Sequence, residues 1–434
     1  MTTPEPYSYP VDDPHYAQDV TMPHFQPDLF ADSDLYVNMD AVRGREFLDK
    51  LLFRFGISGD QMVEQRTYKK IIFSGHRGCG KTAELRRIEK QAIPPGTYLP
   101  VFIALEEEVD LSRFRAEDFY ILLVVHLIDL IRTHQLQVKT KPLRQLSEAI
   151  LQRKEVVEEL RTTLKNELTA EASAGVNFFE IIKSKLGFKA IFSGESKTSQ
   201  FIRREVKENL LRIIQEFNVY LQEVRRALRQ ENQAQDLLFV VDGSEKVPFT
   251  LYQELFVQGA NMIREIAANM IIAVPINAFY TIQDEPQASY DDAFVVPMVP
   301  LNKPEAEVAF RTLLAKRIRL EQFIEEEALH YLIQKSGGCT RQLLSLVSQG
   351  IGIGLGAPIT LDTAKKAALR LQEDMRNLLS AEHIQLLKKG NFYTGDAAVK
   401  ELLYSLVLLR YNGPDSIRIN PLLEGLFETD GADV

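Results

Sequence analysis

Along this chain, short continuous apolar runs alternate with longer stretches whose apolar residues recur at helical spacing. The runs are Ile71-Ile72-Phe73, Tyr98 to Leu105, Leu237 to Asp242, Met270 to Ile276 and Phe294 to Val299. Continuous apolar runs suit parallel strands covered on both faces, because such strands have no wet side to appear as polar alternation. Helical periodicity separates them at Ala83 to Ile88, Asp118 to Gln135, Pro142 to Ala170, Phe201 to Gln230 and Leu251 to Ala268. Strands alternating with helices predict an α/β fold whose parallel sheet is covered by helices.

After Pro304 the pattern is helical only, at Pro304 to Leu320, Glu325 to Lys335, Thr340 to Gly350 and Asp362 to Leu379. The Gly352, Gly354 and Gly356 alternation follows no strand and reads as an inter-helix turn. Helices at Ala381 to Lys389 and Ala397 to Leu403 then precede a hairpin pattern, Leu406 to Tyr411 and Ser416 to Ile419 around Asn412-Gly413-Pro414-Asp415. Asn420-Pro421-Leu422-Leu423 opens a closing helix. The expected organisation is an acidic extended arm (1–40), an α/β core (41–303) with a long helical insert at about 110–235, a helical lid (304–379) and a winged-helix-like domain (380–434).

Composition changes this picture in three places. Residues 1–40 contain no Lys or Arg, carry many Asp and are punctuated by Pro and Tyr, so the arm is expected to stay extended unless it docks on a neighbour. From Ile181 to Gln230 there are eleven basic and five acidic residues in a chain of net charge −9. That stretch is either a solvated helix face or a docking surface for nucleic acid, the acidic arm or a partner subunit. Two cysteines, Cys79 and Cys339, are too few for a disulfide framework and suit a reducing cytoplasm. No basic start followed by an apolar block opens the chain, and the most apolar segment, Phe119 to Ile131, is broken by His126 and Asp129. The expectation is a cytoplasmic protein with no membrane span.

Candidate chemistry centres on Gly75-His76-Arg77-Gly78-Cys79-Gly80-Lys81-Thr82-Ala83, which matches G-x-x-x-x-G-K-[ST] between a strand and a helix. Glycines there let successive backbone N–H groups face a phosphate. The helix N-terminus adds partial positive charge, Lys81 is placed to reach the β/γ-phosphates and Thr82 to hold Mg²⁺. A nucleotide with Mg²⁺ is therefore the expected cofactor pair. The run Leu238-Phe239-Val240-Val241 ends in Asp242, at a strand's C-terminal edge, as a second Mg²⁺ partner. Glu245 is the nearest candidate base for an attacking water, or else a helix cap or partner of Lys246. In Gly337-Gly338-Cys339-Thr340-Arg341, Arg341 either reads the γ-phosphate or forms a surface ion pair. Asn277, after the fourth strand, is a candidate to hydrogen-bond the attacking water.

The order Gly44-Arg45-Glu46, phosphate loop, strand-end Asp242, helical lid with Gly338-x-x-Arg341 and winged helix resembles the AAA+/STAND class of P-loop ATPases. The resemblance spans roughly residues 35–425 and implies a P-loop NTPase fold with ATP and Mg²⁺ as cofactors. It implies that Gly44 and Arg45 lie beside the adenine, and that Lys81, Asp242, Glu245 and Arg341 serve catalysis. Gly243 stands where a typical AAA+ chain has its second acid, and Asp-Gly-x-acid is similar to the NACHT-type pattern. The loop segment and Tyr411-Asn412-Gly413 also resemble uncharacterised bacterial ATPases of conflict and anti-phage loci. The function implied is an ATP-driven oligomerisation switch, a homo-oligomer with a protein effector partner. The alternative is a DNA-dependent AAA+ ATPase or loader, with nucleic acid as partner.

Overall fold

The computed structural model describes residues 7–25, 27–30, 35–150, 188, 191–192, 197–243, 249–284, 290–412 and 416–427. Each apolar run lies in one strand of a single parallel sheet: β1 (Lys70–Gly75), β2 (Gly96–Ala104), β3 (Ala234–Asp242), β4 (Asn269–Pro275) and β5 (Asp292–Val296). Their spatial order is β2-β3-β4-β1-β5. The registers pair Ile72 with Ile272 and Ala293, and Val241 with Ile103 and Ile272.

Side chains alternate strictly between the two faces, as a strand's period requires. Ile72, Val101, Phe239, Val241, Met270 and Val274 face one buried layer; Ile71, Phe73, Leu238, Val240, Ile271 and Phe294 face the other. The chain therefore needs apolar residues on both faces, at about 1.5–3 kcal/mol for each large side chain fully buried. This double covering is why the strands appear in the sequence as unbroken apolar runs.

Helices fill in the expected order. The N-terminal half holds α1 (Pro14–Val20), α2 (Asp40–Arg43), α3 (Glu46–Arg54) and α4 (Lys81–Arg87). The insert between β2 and β3 holds α5 (Ala116–Thr133), α6 (Thr140–Ile150), α7 (Lys197–Glu208) and α8 (Leu210–Gln230). After β4 comes α9 (Ile276–Asp284), and the segment expected as a lid holds α10 (Pro304–Ala315), α11 (Glu326–Lys335), α12 (Thr340–Ile353) and α13 (Leu361–Arg376), with a single helical turn at Leu320–Phe323. A last module has α14 (Ala381–Lys389), α15 (Ala397–Tyr404) and the antiparallel hairpin β6 (Leu408–Arg410) and β7 (Ile417–Ile419). With the phosphate-loop sequence joining β1 to α4, this is an α/β P-loop NTPase fold.

Five sequence expectations are corrected. The helix expected from Leu251 to Ala268 is three short segments, Phe249–Tyr252, Gln253–Gln258 and Ala260–Glu265. The acidic arm is not extended where described: Asp13 caps α1, Pro14 takes its first turn, and Ala17 and Val20 are buried. This segment rests on the lid, with Val11 exchanging backbone hydrogen bonds with Arg317 and Arg319 and α1 packed on α12. A few apolar residues at the right spacing outweigh an acidic composition once a surface is available. The helix expected from Phe201 to Gln230 is two helices, with Asn209 off helical geometry between α7 and α8. The fifth strand ends at Val296 rather than Val299, because the Met298 N–H turns to the Arg410 carbonyl instead of the sheet. Residues 420–427 form turns, not a closing helix, with the Asn420 side chain accepting from the Leu422 N–H. Of the eleven basic residues between Ile181 and Gln230, Lys183, Lys185 and Lys189 lie outside the described residues. Among the described residues, no helix is long and apolar enough to cross a membrane.

Candidate functional site

The phosphate-loop segment runs between the buried end of β1 and the start of α4. Gly78 (φ +82°) and Gly80 (φ +97°) occupy left-handed backbone that side chains disfavour. At Gly78 there is also no room, since an added Cβ would sit 2.3 Å from the Arg341 Cβ. Lys81 is buried and folds back on the loop, its Nζ donating to the carbonyls of Gly75 and His76 at 3.1 Å each. Thr82 is exposed and Ala83 half-buried at the head of α4. Arg77 is exposed, while its carbonyl lies 3.7 Å from the Cys339 Sγ. Cys79 is buried.

Asp242 is buried at the C-terminal end of β3, with only β4 between its strand and β1. Gly243 (φ +80°) then turns the chain sharply, and Glu245 lies outside the described residues. Asn277, in the first turn of α9, has a buried Oδ1 with no hydrogen-bond partner among the described residues. An ammonium, a hydroxyl, a carboxylate and two left-handed glycines form a donor set that fits a nucleoside polyphosphate with Mg²⁺, a cation that takes hard oxygen ligands. Thr82 and Asp242 are the residues that would hold the metal, and Lys81 with the loop N–H groups would hold the phosphates. The bound metal would neutralise phosphate charge.

The lid and the last module rest directly on this loop. The Arg341 N–H donates to the Gly78 carbonyl at 3.3 Å. Gly338 makes that approach feasible, because an added Cβ there would lie 1.9 Å from the Val299 carbonyl oxygen. From the last module, the ring of His76 is held at both nitrogens. Its Nδ1 lies 3.0 Å from the Leu403 carbonyl, and its Nε2 accepts from the Arg410 N–H at 2.7 Å. Those partners require the neutral ring with the proton on Nδ1. Burial, seconded by the nearby Lys81 and Arg410 cations, pulls the imidazole down to about 3. Only about 10 Å³ of space remains between Gly75, Arg77, Lys81, Pro275, Ile276 and Tyr404, scarcely a water's room.

On the other side of the loop sits a residue the sequence reading passed over. Arg43, at the end of α2, is 5% exposed and donates from Nη2 to the Cys79 carbonyl at 2.7 Å. Its Nη1 donates to Glu84 Oε1 at 3.2 Å, and Arg87 engages Glu84 Oε2 at 3.4 Å and Asp40 at 2.5 and 2.7 Å. Burial pushes the Glu84 carboxyl up, and the Arg43 and Arg87 guanidinium groups pull against that. Arg45, read as an adenine neighbour, instead pairs with Asp49 at 2.7 Å on an exposed face of α3. Gly44 does line a cleft of about 480 Å³, walled by Phe47, Phe279, Phe294, Arg410 and Asn412. The adjoining Gly44-Arg45 motif masked Arg43, whose partners Cys79 and Glu84 lie 36 and 41 positions along the chain.

No family model matches the chain, and no curated protein matches it. Among solved structures it is similar to Cdc6p from Pyrobaculum aerophilum, 12% identical, covering 94% of this chain and 96% of that one at a TM-score of 0.37. It is also similar to RuvB of Thermotoga maritima, a Holliday junction branch migration motor, 11% identical, covering 92% of this chain and 99% of that one, again at 0.37. The fold assignment above stands on the strand order and the phosphate loop themselves.

Proposed function

We propose that this protein binds and hydrolyses Mg·ATP as a conformational switch of the AAA+ class, STAND type. The observation that carries the reading is the double docking on the phosphate loop: Arg341 on Gly78 from the lid, His76 on Leu403 and Arg410 from the last module. Tyr404 of the last module and the Lys81 side chain wall a space of about 10 Å³ beside the loop, so in this reading a triphosphate that binds there displaces one or the other. Nucleotide entry and module position are thereby coupled, and a ligand that favours the displaced arrangement shifts the population toward it. In this reading Lys81 and Thr82 grip phosphate and metal, Asp242 orients the metal's water shell, Glu245 activates the attacking water and Arg341 senses the γ-phosphate. Gly44 borders the base cleft. The exposed modules then recruit further copies and an effector protein, the context for which is the resemblance to conflict-associated ATPases.

Mass photometry of the full chain, with and without a non-hydrolysable ATP analogue and Mg²⁺, tests this. Larger assemblies are expected only with nucleotide, and Lys81→Ala should stay in the small form at any nucleotide concentration. Identical size distributions in all four samples would remove the switch. The DNA-dependent alternative draws less support, because Arg410, one of the two hairpin arginines, is turned inward onto the Tyr280 hydroxyl.

A further inference from the structure

The loop's two ends are fixed by β1 and α4, but its middle peptide has to be aimed. Arg43 supplies the aim. Its Nη2 holds the Cys79 carbonyl at 2.7 Å, and an added Cβ on Gly80 would lie 3.8 Å from the same nitrogen. In a trans peptide the carbonyl and the following N–H point in opposite directions. A Cys79 carbonyl drawn toward Arg43 therefore turns the Gly80 N–H away from it, to the loop's other side. Without that bond the Cys79–Gly80 peptide is free to flip, since a left-handed glycine tolerates either orientation.

Arg43 is itself held at both terminal nitrogens, while its buried Nε has no partner among the described residues. Glu84 fixes its second nitrogen, Arg87 fixes the other Glu84 oxygen, and Asp40 fixes Arg87 from α2. Its main chain is held from the C-terminal elements: Asn412 Nδ2 donates to the Arg43 carbonyl at 2.8 Å, and Lys303 Nζ to the Val42 carbonyl at 3.4 Å. The side chain thus touches the loop while the backbone is gripped by the hairpin and the start of the lid. We infer that Arg43 is a positioning residue of the phosphate site, which orients the Cys79–Gly80 peptide for phosphate and transmits to it the position of the hairpin and lid.

This rests on the nucleotide reading above, and the test separates the two. Affinities of the full chain for Mg·ATP and for AMP are measured by calorimetry for wild type, Lys81→Ala, Arg43→Met, Arg43→Lys and Glu84→Gln, with circular dichroism confirming the fold. Arg43→Met keeps the stem's length while removing both bonds. It should weaken Mg·ATP at least tenfold and AMP less than twofold, because the aimed peptide serves the distal phosphates. Arg43→Lys should recover part of that loss. A merely structural role would lower the fraction of active molecules and leave the ATP-to-AMP ratio unchanged, which would overturn the inference. So would wild-type affinity in folded Arg43→Met. If Arg43→Met does not fold, Glu84→Gln decides: a threefold or greater loss for Mg·ATP supports the inference and an unchanged value overturns it. Wild type that binds Mg·ATP no better than Lys81→Ala would remove the nucleotide reading, and this inference with it.

Discussion

On one side the phosphate loop meets a buried run of charges, Asp40, Arg87, Glu84 and Arg43; on the other the loop's own His76, a neutral imidazole, meets two backbone groups of the last module. The first grip is built within the core, and its ions have lost most of their water. Such an arrangement is costly to assemble and costlier to break halfway, since one removed partner strands the rest. The second grip joins separate modules through two neutral hydrogen bonds, each worth only about 0.5–1.5 kcal/mol net. A loop held by buried charges from one side and by two neutral bonds from the other lets the neutral side go first. That asymmetry is what a switch built on this loop requires.

The sharpest way to break the charged grip is Glu84→Ala. It leaves Arg43 and Arg87 facing each other in a buried site with only the Cys79 carbonyl and Asp40 for compensation. A loss of about 3–5 kcal/mol is expected, read as a lowered urea midpoint. A shift below about 1 kcal/mol would mean the network is solvated and the contrast with His76 is false.

The neutral grip is expected to respond to pH instead. An ordinary histidine titrates near 6.5, whereas burial holds His76 down to about 3, between the Lys81 and Arg410 cations. Between those values the released ring takes up a proton that the docked ring does not. Docking therefore strengthens as pH rises through this window and is lost as pH falls below about 6.5, by up to about 1.4 kcal/mol per unit. Hydrogen exchange of α15 and β6 between pH 7.5 and 5.5, corrected for intrinsic rates, should show this slope in wild type and lose it in His76→Gln. Subtracting the variant removes the contribution of Glu84, whose raised carboxyl acts in the opposite sense. Parallel slopes in the two proteins would assign the pH response elsewhere.

How much of this was legible in the sequence follows from the kind of partner each residue has. The five strands and Lys81 stood out because burial on both faces and phosphate binding each demand particular residue types at fixed spacing. His76 was visible only as a variable position of the motif. Its partners are the Leu403 carbonyl and the Arg410 N–H, and backbone groups leave no mark on a sequence. The Asp40-Arg87-Glu84-Arg43 chain joins residues up to 47 positions apart, so no local pattern brings them together. The neighbouring Gly44-Arg45 drew attention away from Arg43, because a motif names positions and not the direction of a side chain. The acidic arm was misjudged for a related reason: its composition describes it alone, while Val11 pairs with Arg317 and Arg319 and Ala17 and Val20 are buried on a helix that packs on α12.

The smallest effect expected is also the one that tests whether the two grips exhaust the contrast. Lys400 on α15 donates to Asp284 at the end of α9 at 2.7 Å, a further contact between the last module and the core beside those of Arg410 with Met298 and Tyr280 and of Asn412 with Arg43. The Asp284 side chain is 55% exposed, so this pair is wet and screened by salt, with a worth of about 0–1 kcal/mol. Lys400→Ala should therefore speed exchange of the α15 amides by no more than about fivefold, since tenfold corresponds to about 1.4 kcal/mol. Adding salt to wild type should change as little. His76→Gln, which removes a ring satisfied at both nitrogens in a dry site, should exceed it at pH 7.5, where the imidazole is neutral in either state and only the lost contacts count. Equal acceleration in the two variants would show the module held on by surface charge. The light grip would then be ionic as well, and a rise in salt would release the module without any change at the phosphate loop.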